Sequence, residues 1–182
     1  MKIQDGLGTG NYAGVDNEGR VQVLAVTVPN DFHTNEENGK VWSIPIEGLN
    51  PAGADDYVVY IKNNGDVDLL ISDMRLMADT AATQIEINVV SGTASGGAAV
   101  TPVSRTVGAS AIPTATIESG TDITGLTSGG TLFFMQLAVV NTEYHLRTSS
   151  NIRIPKGKAI GVLVETATAN ITGVISLIEA GS

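Results

Sequence analysis

The sequence predicts an all-β protein, an antiparallel β-sandwich, on three observations. Valine, isoleucine and threonine number 19, 16 and 19, together 54 of 182 residues, and β-branched side chains fit a pleated, half-buried surface better than a helix. The 21 glycines and 6 prolines punctuate the chain, which suits many short strands joined by turns. The hydrophobic share is 42% and the charged share 16%, the latter below the roughly 25% of ordinary soluble domains, so the chain can build a core and is not disordered. A helical bundle is excluded, because nothing reads as an amphipathic helix of length, residues 73–82 being the best candidate.

Taken in order, residues 1–19 hold Gly6, Gly8, Gly10, Gly14 and Gly19 with almost nothing apolar to bury, and so predict an extended glycine-rich N-terminal arm. A first strand covers 20–28 and is closed by Pro29. The polar, turn-rich stretch 30–39 then carries the chain into the main body. Arm and first strand make up residues 1–35, and the sandwich occupies 36–182. Strands are expected at 40–46, 57–62, 68–77, 84–90, 100–107, 132–147, 151–154, 158–166 and 171–179.

The connector at Asn63, Asn64, Gly65 and Asp66 has the chemistry of a tight hairpin, and Pro155 with Gly157 supplies adjoining turn positions. A chain of antiparallel hairpins is therefore expected. In the last strand Ile171, Gly173, Ile175, Leu177 and Glu179 share one side, and Thr172, Val174, Ser176 and Ile178 the other. Neither side is strongly polar, so one is expected in the core and the other at a contact. Trp42 is expected in the core.

Between Glu86 and Glu143 only Arg105, Glu118 and Asp122 are charged. Residues 91–130 are dense in Gly, Ala, Ser and Thr and read as a long low-charge insertion, either flexible or packed on a neighbouring subunit.

Ten basic against 19 acidic residues give a net charge of −9, which repels a phosphate backbone and makes nucleic acid a poor partner. The acidity is uneven: residues 1–73 carry 12 acids and 4 bases, the remainder 7 and 6. With no cysteine, disulfides, thiolate nucleophiles and Cys-ligated zinc are excluded. No apolar stretch approaches the ~20 residues of a membrane span, and the first residues are too polar for a signal peptide. The expectation is a protein made in a cytoplasm, soluble, with no membrane partner.

Chemistry is sparse. Residues 8–13, GTGNYA, match a relaxed dinucleotide fingerprint, but the strand before it and the helix after it are missing, so no cofactor is expected. Asp66 with Asp68, and Asp16 with Glu18, lack the ligand number and spacing of a calcium loop and read as solvated turns; no metal is expected. Asp55 and Asp56, as chain neighbours, tend to point apart. His33 and His145 have no ligand or triad neighbours, and Ser110 keeps only the first glycine of a nucleophile elbow. No catalytic residue is assigned, and the protein is not read as an enzyme.

The stretch IQDGLGTGNYAGVDNEGRVQVLAVTV (3–28) resembles the opening of a family of tailed-bacteriophage virion proteins. The resemblance continues through VVYIKNNGDVDLLISDMRL (58–76) and NIRIPKGKAIGVLVETATANITGVISLIE (151–179), leaving 91–130 unmatched. It implies a capsid decoration or cement protein: a jelly-roll sandwich, trimeric, seated outside the head shell at junctions between major capsid proteins, hence located in the virion after assembly in the host cytoplasm. The alternative is a tail, neck or fibre protein acting as a receptor- or carbohydrate-binding module, for which the 4% aromatic content leaves little stacking surface.

A mean hydropathy of +0.15 with so few charges suggests more apolar surface than one small core hides, and a homotrimer with the 91–130 segment and the 132–140 face between subunits. The arm is the expected capsid-binding element. Gly8 and Gly10 permit close backbone approach, Tyr12 is its one large anchor, and Asp5, Asp16 and Glu18 can pair with basic groups on the shell.

Overall fold

The computed structural model describes residues 2–4, 12–15, 21–22, 39–167 and 169–180, and the chain divides into two units, Met1–Asn30 and Asp31–Ser182. The described residues form strands and no helix; the best helical candidate, 73–82, is strand and turn instead.

In the first unit β1 (Lys2–Gln4), β2 (Tyr12–Val15) and β3 (Val21–Gln22) make a small sheet with β2 central. Ile3 lies opposite Ala13, and Val15 opposite Val21. At its described positions the segment expected as an extended arm thus carries a ladder of its own, its backbone N–H and C=O groups finding partners in each other. The rest of the expected strand 20–28 and the expected boundary at residue 35 lie outside the described residues.

The second unit contains β4 (Val41–Leu49), β5 (Asp56–Asn63), β6 (Leu69–Ala78), β7 (Thr83–Ser95), β8 (Ala98–Ala99), β9 (Val103–Ser104), β10 (Ala115–Ser119), β11 (Thr124–Leu137), β12 (Tyr144–Ile154), β13 (Ala159–Val164) and β14 (Ile171–Glu179). They form two antiparallel sheets, ordered β11-β7-β13-β5-β10-β8 and β12-β6-β14-β4-β9. The sheets pack face to face as a β-sandwich. Alternation puts Ile44 and Ile46, Met74 and Leu76, and Ile171 and Ile175 of one sheet against Val59 and Ile61, Ile85 and Ile87, and Ile160 and Val162 of the other in a single buried cluster.

The expected chain of hairpins is corrected by this order. Among the long strands β4 pairs with β14, β5 with β13, β6 with β12 and β7 with β11, so the chain runs as one long antiparallel ribbon bent over between two sheets. The turn at 63–66 leads from β5 in one sheet to β6 in the other, and the turn at 155–157 returns from β12 to β13. Both are corners of the ribbon, and they are stitched together. Asn63, with no exposed surface, donates from Nδ2 to the carbonyls of Val67 (2.8 Å) and Ile154 (2.9 Å). Its Oδ1 accepts from Gly65 N at 2.9 Å, and its backbone oxygen accepts from Gly157 N at 2.8 Å.

The 91–130 insertion is also more regular than a loop: it finishes β7, begins β11 and supplies β8, β9 and β10. The expected strand 132–147 is two, interrupted by a turn at 138–143 in which Asn141 has φ +53°. Trp42 is 1% exposed, and its indole N–H donates to Ala111 O at 2.8 Å, pinning part of the same segment. The two sides of the last strand divide as follows: Ile171, Ile175 and Leu177 enter the main core, while Ile178 packs with Val41 and Leu70 in a small outer cluster.

Candidate functional site

The surface that stands out is the free end of the six-stranded sheet. β13 pairs with β7 only as far as Val90, whereas β7 and β11 continue together to Ser95 and Thr124. The two strands therefore project as a ribbon beyond the sheet. The ribbon is bent by register shifts at Thr124/Leu126 and Ser128/Gly130. At the first of these Gly92 (φ +106°) and Gly125 (φ +76°) face each other, and a Cβ on Gly92 would lie 2.2 Å from Gly125 O, so only glycine fits. Ala94, Ile123 and Leu126 seat the ribbon against Tyr60, Val90 and Ala159 in a second buried cluster.

β11 is the outermost strand, and among the described residues its far side has no strand partner. Most of it is exposed, including Leu132 (49%) and Phe134 (50%), and the following turn, tied to the end of β6 by Asn141 N donating to Ala78 O at 2.8 Å, adds the exposed Val139 and Val140. A long open edge carrying apolar side chains is a site for association unless something covers it.

On the outer face of the same sheet register places Glu86 and Asn88 of β7 beside Leu163 and Gly161 of β13. Glu86 accepts from Thr131 Oγ1 at 2.9 Å and from Asn88 Nδ2 at 3.1 Å, while Asn88 also reaches the Tyr57 hydroxyl at 3.4 Å. The Glu165 carboxyl is pushed above its ordinary value by burial first, then by the hydrogen bond it shares with Glu86 and by the charges of Glu86 and Asp55. A carboxyl raised by folding contributes stability below its unfolded pKa, and that contribution is lost as pH rises through the folded value. Glu165→Gln is therefore expected to raise the melting temperature at pH 7 and change it little at pH 4; a lower melting temperature at pH 7 would contradict this account.

A cleft of about 230 Å³ opens where the ribbon leaves the sheet, lined by Tyr60, Lys62, Ser91, Gly157 and Lys158 over a floor of Val90 and Ala159. Register sets Lys62 opposite Ala159, and Lys158 O accepts from Asn63 N at 3.0 Å. Burial and the nearby Glu118 raise the Tyr60 phenol, which keeps it protonated at neutral pH. Glu118 lies directly opposite Tyr60 on β10.

Of the residues expected to bind the capsid, Asp5, Gly8, Gly10, Asp16 and Glu18 lie outside the described residues; Tyr12 opens β2 opposite Gln4. His33 also lies outside them. His145 on β12 bonds through Nε2 to the Asp73 carboxylate, which Arg75 also contacts at 3.1 Å. Asp66 pairs with Lys156 and Asp68 with Arg153 at 3.1 Å, so each of these acids faces a base. Among the described residues no three or more His, Cys, Asp or Glu side chains gather to hold a metal, and no helix is long and apolar enough to cross a membrane. Asp56 accepts from Gly53 N within its own turn, and Asp55 has φ +63°. The sequence reading missed the Lys62/Lys158 and Glu86/Glu165 pairs, which only strand register brings together. The chain matches no protein-family model, no curated protein and no solved structure.

Proposed function

We propose that the protein is a structural component of a tailed-bacteriophage virion, a decoration protein that sits as a homotrimer outside the head and binds at junctions between major capsid proteins. Its role is binding, with no catalytic step. The observation that carries the reading is the open β11 edge with Leu132 and Phe134 half exposed, a surface suited to subunit contact. The strand order supports a jelly roll: a four-pair ribbon wrapped into two sheets is the arrangement that viral capsid domains share with lectins. Fold alone does not fix function, so the resemblance of residues 3–28 to virion proteins supplies the rest.

In this reading the first unit contacts the shell through Asp5, Gly8, Gly10, Tyr12, Asp16 and Glu18. Deleting residues 1–19 is expected to leave the circular dichroism of the sandwich unchanged and to weaken co-sedimentation with capsids strongly, Tyr12→Ala reproducing part of the loss. Wild-type decoration by the truncated protein would move the binding surface onto the sandwich. A truncated protein that fails to fold would place residues 1–19 in the core.

A further inference from the structure

We propose that the cleft between the β7–β11 ribbon and the turn before β13 is a binding site for a single carboxylate group, held by Lys62 and Lys158. The inference does not depend on the virion reading. In a chain with 10 basic residues against 19 acidic ones, four of the other described bases pair with acids: Lys40 with Glu179, Arg75 with Asp73, Arg153 with Asp68, Lys156 with Asp66. Lys62 and Lys158 line one cleft and have no ion pair among the described residues. Both lysines line this cleft, and an anion bound there gains attraction from each of them.

The rest of the lining fits a small oxyanion carried on an apolar stem. Ser91 adds a hydroxyl to the wall, and Tyr60 a protonated phenol. Val90 and Ala159 give an apolar floor, and Gly157, at φ +73° in its turn, brings backbone to the rim without a side chain. The apolar floor selects the ligand: Val90 and Ala159 offer contact to the stem of a carboxylic acid, contact that inorganic phosphate cannot make. A carboxylate is favoured over a phosphate on that ground.

Backbone amide resonances of the full chain, titrated with sodium acetate, sodium phosphate and sodium chloride at matched ionic strength, test this. Acetate is expected to give saturable shifts centred on Lys62, Ser91, Gly157 and Lys158, with phosphate weaker and chloride giving none that saturate. Lys62→Gln and Lys158→Gln are each expected to weaken acetate about tenfold; Lys158 is exposed, so its variant is expected to keep the fold whatever happens at Lys62. Light scattering separates the sources of the carboxylate: an unchanged mass on saturation with acetate identifies a free acid as the ligand, and a falling mass identifies an acidic side chain of a neighbouring copy. Acetate shifts no different from those of chloride, phosphate binding more tightly than acetate, or wild-type affinity in both variants would overturn the proposal.

Discussion

Asn63→Asp is expected to destabilise the sandwich by about 3 to 5 kcal/mol at pH 7, the range for turning a satisfied buried polar group into an unpaired charge. The substitution is nearly isosteric, so packing is kept and only the hydrogen-bond polarity changes. Nδ2 of Asn63 donates to the carbonyls of both Val67 and Ile154; a carboxylate oxygen in its place meets two oxygens with no proton between them. Those carbonyls belong to the two corners at which the long ribbon passes from one sheet to the other, so the disturbance reaches β5, β6, β12 and β13 together.

The sign with pH follows from the same geometry. Burial and the facing carbonyls raise the introduced carboxyl above its unfolded pKa, so its protonated form is the one the fold tolerates, and stability is lost as pH rises through the folded value. Urea unfolding of the variant and the parent, compared at each pH, should show a difference that shrinks from pH 7 to pH 4, where a carboxyl O–H can serve one of the two carbonyls. The melting temperature at pH 7 should fall by about 10 °C. A variant within about 1 kcal/mol of the parent at pH 7 would mean that water or backbone movement satisfies the corner, and that Asn63 does not join its turns.

The same corner shows how far the sequence could be read. Alternation and β-branching located the strands that build the main core, because Ile44 and Ile46, Ile160 and Val162, and Ile171 and Ile175 bury one face at period two. The turn residues at 63–66 and 155–157 were equally visible, and their chemistry does specify a reversal. It does not specify whether the next strand stays in the sheet, since that depends on Asn63 being buried between two turns distant in sequence. Residues 91–130 misled for another reason. Apart from β10, whose Ile117 enters the main core, their strand residues are mostly exposed, so Thr, Ser and Gly replace the alternating apolar residues by which a half-buried strand is recognised, and the bends at Gly92 and Gly125 resemble loop punctuation. The Lys62/Lys158 and Glu86/Glu165 pairs left no local pattern at all, because each joins residues that only register makes neighbours.

The largest effect expected on assembly comes from Leu132→Glu combined with Phe134→Glu. In the proposed trimer both side chains lie between subunits, and about half of each is already covered within its own chain, so the remaining half is what the interface hides. Removing that apolar contact and asking two carboxylates to leave water is worth on the order of 2 to 3 kcal/mol per site, and two sites weaken association by about a thousandfold or more. Charges on an open edge strand also oppose strand-to-strand association directly. The fold should survive, since an exposed edge tolerates glutamate and the inward neighbours Phe133 and Met135, which pack against the main core, are untouched. Light scattering at micromolar concentration should show a trimer for the parent and an 18.8 kDa monomer for the double variant, with the same circular dichroism spectrum. If the parent is itself monomeric, the trimer is wrong and the open edge awaits a different partner; if the variant remains trimeric, the subunits meet elsewhere and β11 is free to face the capsid.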